Sequence, residues 1–262
     1  MIIDDIDFAQ MYRQHKAAST FQKKSAQEWD AKAEGMSMRA IKSPYVDDFV
    51  GKICFDGCKS ALDVGCGPGT IALSLATKVE QVSALDFSEG MLRCCEQNAR
   101  MAGLDNIMTI KRAWEESWDD IEPADIVTAS RCIEVEDLHS ALEKLDSHAK
   151  KAVYLTYKVG RSFIDDDILD YIGKAIVSKP DYVYVPLILR DMGIHAHIDF
   201  IQTPAGSLSY ANEEEFVKSV SWSLCGLNNE QTKKASAFYN SFIATHIYAP
   251  KPFIWAFVSW RK

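Results

Sequence analysis

The sequence predicts an α/β protein built on a doubly wound, mostly parallel sheet. Short apolar runs typical of buried strands recur between residues 60 and 157. Segments with apolar residues at helical spacing separate these runs, as in parallel sheets with crossover helices. The first run leads into a glycine-rich loop and then directly into a helix. That arrangement suits ligand binding at the carboxyl ends of parallel strands.

The composition is that of an ordinary globular domain. The chain has 262 residues, 47% of them hydrophobic, which suffices for the core of one large α/β domain with insertions. A net charge of −8 and a pI near 5.3 argue against a broad basic surface. We therefore expect a small-molecule partner, with no nucleic acid and no membrane among the partners.

The cysteines and the N-terminal residues indicate the compartment. The seven cysteines, an odd number, lie within apolar patterns rather than in a regular framework, as in proteins of a reducing compartment. The first five residues include two acids and no base, whereas a signal peptide needs basic residues there. No apolar stretch approaches the roughly 20 residues that cross a bilayer. The sequence thus predicts a cytoplasmic protein.

The segment before the first strand is polar and has helical spacing. Its large side chains are scattered between residue 7 and about residue 40, and we expect it to be too polar to join the core. Pro44 then opens a further helix. These features predict an N-terminal helical cover over residues 1–57, ahead of a main domain at residues 58–262.

The glycine loop at residues 60–70 is the most specific feature of the sequence. An apolar strand contains Asp63 near its end and is followed by glycines at positions 65, 67 and 69. Glycine permits positive φ and close approach of a ligand to the backbone, and the next helix directs its amides to the same place. The spacing differs from the G-x-G-x-x-G of dinucleotide folds, and Pro68 removes an amide that a pyrophosphate would use. The acid at Asp63 instead suits a ligand with an amino or cationic group.

A second acid ends the next predicted strand. Residues 81–86 form an apolar run that ends at Asp86, and Ser88 is the expected N-cap of the following helix. A carboxylate in this place can accept hydrogen bonds from both hydroxyls of a ribose, as acids about 20 residues past the glycines do in nucleotide folds. We expect Asp86 to be solvated when no ligand is bound, and Phe87 to flank an adenine.

The run L-D-V-G-C-G-P-G-T at residues 62–70 resembles the first motif of the class I S-adenosylmethionine-dependent methyltransferases. The resemblance implies a Rossmann-like sheet of seven strands with a reversed last strand. It also implies methyl transfer from S-adenosylmethionine to a small-molecule acceptor, with S-adenosylhomocysteine as the product. The segment around Trp29 is similar to a helix that many small-molecule methyltransferases lay across the cofactor, although ordinary packing explains Trp29 as well.

Two other functions stay open at this point. A non-catalytic S-adenosylmethionine-binding regulatory module would keep the same motif. An NAD-dependent oxidoreductase would share the sheet and the acid at Asp86, but it has less support because the glycine spacing is not that of a dinucleotide fold.

The expected cofactor site lies at the carboxyl edge of the predicted sheet. The third strand, residues 107–111, is followed by Arg112 where many family members have an acid for the adenine amino group. Backbone groups of the next two residues, or the side chain of Glu115, are the expected substitutes. The fourth strand, residues 124–130, ends in a loop at the same edge. The expected cofactor-binding residues are Tyr45, Asp63, Gly65, Cys66, Gly67, Gly69, Asp86, Phe87, Met91, Ala113, Trp114 and Ser130, of which Tyr45, Met91 and Trp114 are also explained by packing.

The regular alternation ends after a fifth strand at residues 152–157. Further strands are expected at residues 196–201 and 253–260. Helices are expected at residues 165–176, from Pro186 to Gly193, from Asn212 onward, and from residue 229 to about residue 245. We therefore predict insertions on the substrate side at about residues 158–194 and 202–252.

No motif identifies the catalytic residues, and Tyr157 and His195 are candidates by position only. His195, His197 and Asp199 share one face of a predicted strand, which suits a metal site or a general base, although we favour a partly exposed strand face as the explanation. The closely spaced cysteines at 54 and 58, and at 94 and 95, lack the second pair that a zinc site needs. We expect no metal, and the sequence does not indicate an oligomeric state.

Overall fold

The described part of the chain contains a single sheet of seven strands. The computed structural model describes residues 2–40, 43–160, 162–203, 210–248 and 251–262. The strand order across the sheet is β3-β2-β1-β4-β5-β7-β6. The strands are β1 (Ser60–Val64), β2 (Gln81–Asp86), β3 (Ile107–Lys111), β4 (Ala124–Ser130), β5 (Ala149–Lys158), β6 (His197–Gln202) and β7 (Ile254–Arg261).

The strand directions match the predicted fold. Strands β1 to β5 pair in parallel, whereas β7 is antiparallel to both of its neighbours, β5 and β6. The reversed last strand of the prediction is therefore confirmed, together with the mostly parallel seven-stranded sheet. Because β1, β2, β4 and β5 run in the same direction, their last residues lie along one side of the sheet, here called the carboxyl edge.

Helices cover both faces of the sheet. One hydrophobic cluster packs inward-facing residues such as Leu62 and Val127 against α1, α7 and α9, and the other packs Ala61 and Ile126 against α4, α5 and α6. Adjacent residues of one strand thus enter opposite clusters, as the two-residue period of a strand requires. The helices are α1 (Phe8–Ala18), α2 (Ala26–Asp30), α3 (Ala33–Ala40), α4 (Pro44–Gly51), α5 (Ala72–Ala76), α6 (Glu89–Met101), α7 (Leu138–His148), α8 (Asp166–Ile172), α9 (Tyr184–Asp191), α10 (Glu213–Ser223) and α11 (Asn229–Phe238).

The N-terminal segment divides into two parts with different roles. Helix α1 enters the core, since Phe8 is 5% exposed and Tyr12 is fully buried. The Tyr12 hydroxyl donates a hydrogen bond to the carbonyl of Val135 at 2.6 Å. The expectation that this segment is too polar to join the core is therefore wrong for α1. Helices α2 and α3 instead lie on α6, next to the carboxyl edge. The division of the chain at residue 57 stays a prediction.

The inserted helices form a small hydrophobic cluster of their own. Side chains of α8, α10 and α11, including Ile168, Phe216 and Phe238, pack together with Phe21. Helix α8 ends four residues earlier than predicted because Gly173 adopts a left-handed conformation with φ of +68°. Helix α11 ends earlier too and continues as a π-helical turn, and α9 starts two residues before Pro186. Residues 161, 204–209 and 249–250 of the predicted insertions lie outside the described residues.

Candidate functional site

The three glycines of the loop after β1 have different surroundings. All three have positive φ, +63° at Gly65, +55° at Gly67 and +89° at Gly69. A Cβ at Gly65 would lie 2.4 Å from the Cβ of Cys132, and one at Gly69 would lie 2.1 Å from a methyl carbon of Leu73. At Gly67 a Cβ would meet no described protein atom within 4 Å. Two glycines therefore allow close packing of the loop, and Gly67 borders open space.

Asp63 is buried beneath this loop with one oxygen uncommitted. Its side chain is 1% exposed, and Oδ1 accepts a hydrogen bond from the Thr128 hydroxyl at 2.7 Å. Oδ2 has no hydrogen-bond partner among the described residues. Burial raises the pKa of Asp63 to about 7, against the opposing effects of the Thr128 hydroxyl and the Ala72 backbone amide. A buried oxygen without a donor is costly, so this carboxyl group is suited to a ligand that brings a donor.

Asp86 connects the end of β2 to the glycine loop. Its Oδ2 accepts a hydrogen bond from the amide of Gly67 at 2.9 Å, and its Oδ1 accepts one from the amide of Ser88 at 2.9 Å. Only 6% of the residue is exposed, and burial raises the pKa of the carboxyl group. The expectation that Asp86 is solvated is therefore wrong, because the carboxylate is held by two backbone amides within the fold.

Asp30 of the N-terminal segment is fixed to the start of α6. Its Oδ1 accepts hydrogen bonds from the Ser88 hydroxyl at 2.5 Å and from the Gly90 amide at 2.8 Å. The Ser88 hydrogen bond lowers the pKa of Asp30. Sequence reasoning indicated the segment around Trp29 but missed Asp30. The only local signal was its place beside Trp29 in that segment, since its partners lie about 60 residues away.

The predicted adenine side of the site is made of partly buried aromatic and apolar residues. Phe87 is half-buried, and Met91 is 3% exposed against Ala33 and Cys94. The Trp114 ring lies 5.3 Å from that of Trp118. For Met91 and Trp114, both cofactor contact and ordinary packing stay open as explanations, because each residue packs against neighbours on the predicted adenine side.

The substitutes expected for the missing adenine acid are already engaged. The Ala113 amide donates to the Glu116 carboxylate at 2.5 Å, and Glu115 forms an ion pair with Lys23. Arg112 pairs with Asp120 at 2.8 Å. The structure therefore adds Glu116, which sequence reasoning did not weigh, as the carboxylate bonded to the turn after β3.

Tyr45 lies across the carboxyl ends of β4 and β5. It is 1% exposed, and its hydroxyl lies 2.8 Å from the Ser130 hydroxyl and 2.7 Å from that of Thr156. The next residue after Ser130 is Arg131, which has φ of +60° and places its guanidinium 4.3 Å from the Tyr45 ring centre. A non-glycine residue with positive φ in a loop at this edge is a strained feature that the sequence did not indicate.

Cys66 is a predicted site residue whose side chain is buried within the fold and does not face open space. Its side chain is 3% exposed, and its hydrogen bond with Cys95 raises the pKa of the thiol. Its amide donates to the carbonyl of Leu85 at 2.9 Å, and its own carbonyl accepts from the amides of Gly69 and Thr70. With its polar groups satisfied inside the fold, Cys66 shapes the loop.

The same part of the chain matches a known family. A protein-family model described as a methyltransferase domain matches residues 61–152, from the glycine loop through Ser130 to β5. The chain belongs to the class I S-adenosylmethionine-dependent methyltransferase family. It is accordingly an S-adenosylmethionine-dependent methyltransferase, as the resemblance of the glycine loop implied, and S-adenosylmethionine is its cofactor.

One relative and two solved structures are similar to this chain over most of its length. The methyltransferase is 36% identical over 242 residues to an uncharacterised protein of Haemophilus influenzae, covering 92% of this chain and 90% of the relative. Its fold is similar to that of a candidate methyltransferase from Bacillus halodurans, with a TM-score of 0.56, 14% identity, and 83% and 98% of the two chains covered. It is also similar to magnesium protoporphyrin IX methyltransferase from Synechocystis PCC 6803, with a TM-score of 0.50, 16% identity, and 95% and 94% covered. At these identities the two structures support the fold.

The two catalytic candidates of the methyltransferase do not meet at this site. His195 precedes β6, whose first residue pairs with Ser259 near the end of β7, so it lies at the opposite edge of the sheet. Tyr157 is 2% exposed, and its hydroxyl donates to that of Tyr12 at 3.5 Å. Burial raises the pKa of Tyr157 well above its usual value, which makes it a poor base near neutral pH.

The other expectations concern metals and membranes. Asp199 forms an ion pair with Lys52, and His197 is exposed on the edge strand β6. No group of three metal-ligating side chains occurs within the described ranges. None of the helices in the part of the chain that the structure describes is both long enough and apolar enough to cross a bilayer.

Proposed function

We propose that the methyltransferase transfers a methyl group from S-adenosylmethionine to a small-molecule acceptor at the carboxyl edge, beneath helices α2 and α3. The observation that carries the proposal is the open space at Gly67 between two buried carboxyl groups. One of them, Asp63, has an oxygen without a donor among the described residues. Open backbone beside an unpaired acceptor fits a ligand with an amino group at this point.

Each predicted site residue receives a role from its position. Asp63 would accept the amino group of the cofactor, and Asp86 would accept the ribose hydroxyls while its other lone pairs remain with the loop amides. Phe87, Met91 and Trp114 would border the adenine. The Tyr45 and Ser130 hydroxyls would shape the end of the site nearest the acceptor.

The residues of the chain align the reactants and exclude water. When bound, the cofactor would supply an electrophilic methyl group on a sulfonium. The leaving group would be the neutral thioether S-adenosylhomocysteine, which needs no proton at its sulfur. Tyr157 and His195 are therefore not needed for the leaving group. The gain in rate comes from holding donor and acceptor in line, which α2 and α3 support through the hydrogen bonds of Asp30.

Two observations favour a small-molecule acceptor. The net charge of −8 disfavours a nucleic-acid substrate. A similar fold occurs in an enzyme named for magnesium protoporphyrin IX, which gives this architecture a precedent with a small-molecule acceptor. The helical cover, the substrate-side insertions and a cytoplasmic location belong to the same proposal.

Ligand-dependent melting tests the proposal. S-adenosylmethionine and S-adenosylhomocysteine are expected to raise the melting temperature, because a ligand at a hundredfold excess over its dissociation constant stabilises the native state by about 2.7 kcal/mol. NAD and NADP should leave it unchanged. Acceptors are then screened by formation of S-adenosylhomocysteine. Stabilisation by NAD and not by S-adenosylhomocysteine would refute the placement of the cofactor, and turnover separates an enzyme from a binding module.

A further inference from the structure

Two lysines that the proposed mechanism does not use are buried near the carboxyl edge. Lys16 of α1 is 7% exposed, and Lys158, the last residue of β5, is 6% exposed. Both lie within electrostatic range of Lys179 and Glu134, and Glu134 belongs to the loop after β4. These three lysines are here called the lysine cluster. Sequence reasoning did not single them out, because they come from three separate segments.

The two buried ammonium groups bond to backbone carbonyls and not to carboxylates of the described residues. Lys16 donates to the carbonyl of Glu134 at 3.3 Å, and Lys158 donates to that of Val159 at 2.7 Å. Neither forms an ion pair with any carboxylate of the described residues, whereas Lys179 pairs with the Glu134 side chain at 2.5 Å. Each of the two therefore keeps donors to spare.

Glu136, Asp165 and Asp181 also lie within electrostatic range of Lys16 or Lys158. Glu136 is exposed and forms no ion pair with either lysine, and the other two carboxylates are bonded elsewhere. Asp181 accepts from the amides of Gly160 and Tyr182. Asp165 accepts from the Tyr248 hydroxyl and the Lys251 amide. Burial lowers the pKa of both Lys16 and Lys158 and outweighs the opposing charge of Glu134, so the nearby carboxylates do not fully compensate for the lost water. Such a group is costly to bury unless something pairs with it.

Aromatic rings flank the lysine cluster. The ammonium groups of Lys158 and Lys179 lie 5.2 Å and 5.0 Å from the centre of the same Phe163 ring, and Lys179 lies 5.2 Å from that of Phe21. The side chains of Lys179 and Glu134 are 18% and 25% exposed, so the cluster meets solvent at this pair. Cations beside flat apolar surfaces suit an organic anion better than a small inorganic ion.

We propose that the methyl acceptor carries an anionic group, a carboxylate or a phosphate, that binds Lys16 and Lys158 while its apolar part contacts Phe163 and Phe21. The identity of the ligand as the acceptor rests on the proposed function. The location of the two lysines agrees with that identity. The end of β5 and the loop after β4 lie at the same edge of the sheet as the glycine loop after β1.

Binding measured without turnover tests this inference on the full chain. Calorimetric titration uses benzoate and phenyl phosphate as probes and benzamide as the neutral control, with and without saturating S-adenosylhomocysteine. At least one anion is expected to bind, and benzamide is not. The two anions show whether the site takes a carboxylate, a phosphate or both, and each of these results supports the proposal.

Lysine variants locate the binding. Lys16→Met and Lys158→Met are expected to weaken anion binding about 10-fold or more, the scale of a lost hydrogen bond to a charged group. Lys158→Arg keeps the charge and should retain most of the affinity. Lys150→Met, an exposed lysine at the other end of β5, is the matched control and should bind as the wild type does.

Three results would overturn the inference. These are no binding of either anion, unchanged anion affinity in both methionine variants, or a parallel loss of S-adenosylhomocysteine affinity, which would assign the lysines to the cofactor's own carboxylate. Failure of the proposed function is distinguishable, since the wild-type chain would then bind no S-adenosylhomocysteine whatever the anions do. The melting temperature of each ligand-free variant shows whether it is folded.

Discussion

The carboxylate of Asp86 accepts a hydrogen bond from the amide of Gly67 at 2.9 Å, across 19 residues of sequence. The end of β2 thereby fixes the one glycine of the loop that borders open space. A second hydrogen bond, donated by the Ser88 amide, ties the same carboxylate to the start of α6. Asp86 is therefore a structural residue of the loop as well as a proposed ligand of the ribose, and its substitution should affect both properties.

Asp86→Ala is expected to weaken S-adenosylhomocysteine binding by about 1.5 to 3 kcal/mol, or about 10- to 150-fold, because hydrogen bonds to a charged group are lost. The ligand-free protein should also lose about 1 to 3 kcal/mol of unfolding free energy, since two backbone amides lose their acceptor. Calorimetric titration and urea denaturation measure the two effects. Asp199→Ala, which removes an exposed ion pair on β6, is the control. Wild-type affinity in Asp86→Ala would mean that the ribose lies elsewhere.

Gly67→Ala should separate binding from stability. All three loop glycines have positive φ, so alanine strains each of them by roughly 1 to 2 kcal/mol. At Gly67 the new methyl group meets no described atom, and it should exclude the ligand. At Gly69 it would press on Leu73, so Gly69→Ala should lose more unfolding free energy. Gly103→Ala, with φ of +69° and open space away from the site, is the matched control. Equal S-adenosylhomocysteine affinity in Gly67→Ala and Gly103→Ala would contradict the proposed placement.

The raised pKa of Asp63 predicts a pH dependence of folding. Its folded pKa of about 7 exceeds the ordinary value of about 3.9 for an aspartate. Between these values the folded protein keeps a proton that the unfolded chain has lost, so this group makes stability fall as pH rises through that window. Asp63→Asn lacks the titration. The difference in unfolding free energy between wild type and Asp63→Asn should therefore move in favour of the variant from about pH 4 to pH 7. A constant difference would contradict the buried carboxyl group.

The same group predicts proton release on cofactor binding. A ligand amino group favours the ionised carboxylate, so below about pH 7 binding should release a proton, and affinity should rise by up to about tenfold per pH unit. Above that pH the affinity should level off. Calorimetric titrations of S-adenosylhomocysteine in two buffers of different ionisation enthalpy give the number of protons released on binding. Asp63→Asn should show no release from this group, and proton uptake by the wild type would rule out the assigned role.

Asp30→Ala should loosen α2 and α3 without unfolding the sheet. It removes two hydrogen bonds to the start of α6, each worth about 1 kcal/mol at a partly exposed position. We expect faster trypsin cleavage near Lys23 and Lys24, weaker S-adenosylhomocysteine binding and a nearly unchanged global transition. Glu34→Ala, an exposed acid of α3 in the same segment, serves as control. If both variants resist trypsin and bind equally, the segment is not held through Asp30.

The sheet was predictable because its signals are local. Strands β1 to β5 contain apolar runs of the right length. Asp63 lies next to the end of β1 and Asp86 ends β2, so their approach followed from parallel topology. The end of α8 was also encoded locally, in Gly173, but the prediction passed over it.

The features that were missed depend on tertiary contacts. Tyr12 is buried because α1 packs on α7 and α9, more than a hundred residues away, and nothing in its polar neighbourhood indicated this. Asp86 is buried because the glycine loop folds back on it. The lysine cluster joins α1, β5 and the chain near residue 179, and each lysine considered separately is an ordinary polar residue.

The position of β7 has a consequence for the order in which the sheet is completed. In the sheet, β6 pairs with β7 and not with β5, although β6 is the earlier strand of the two in the chain. During synthesis, β6 leaves the ribosome before its partner strand. It stays unpaired until residues 254–261 have been synthesised. Its exposed Phe200 and Ile198 are then open to unwanted pairing with other nascent chains. A stop codon ahead of residue 254 would thus remove a strand from the interior of the sheet and leave β6 detached.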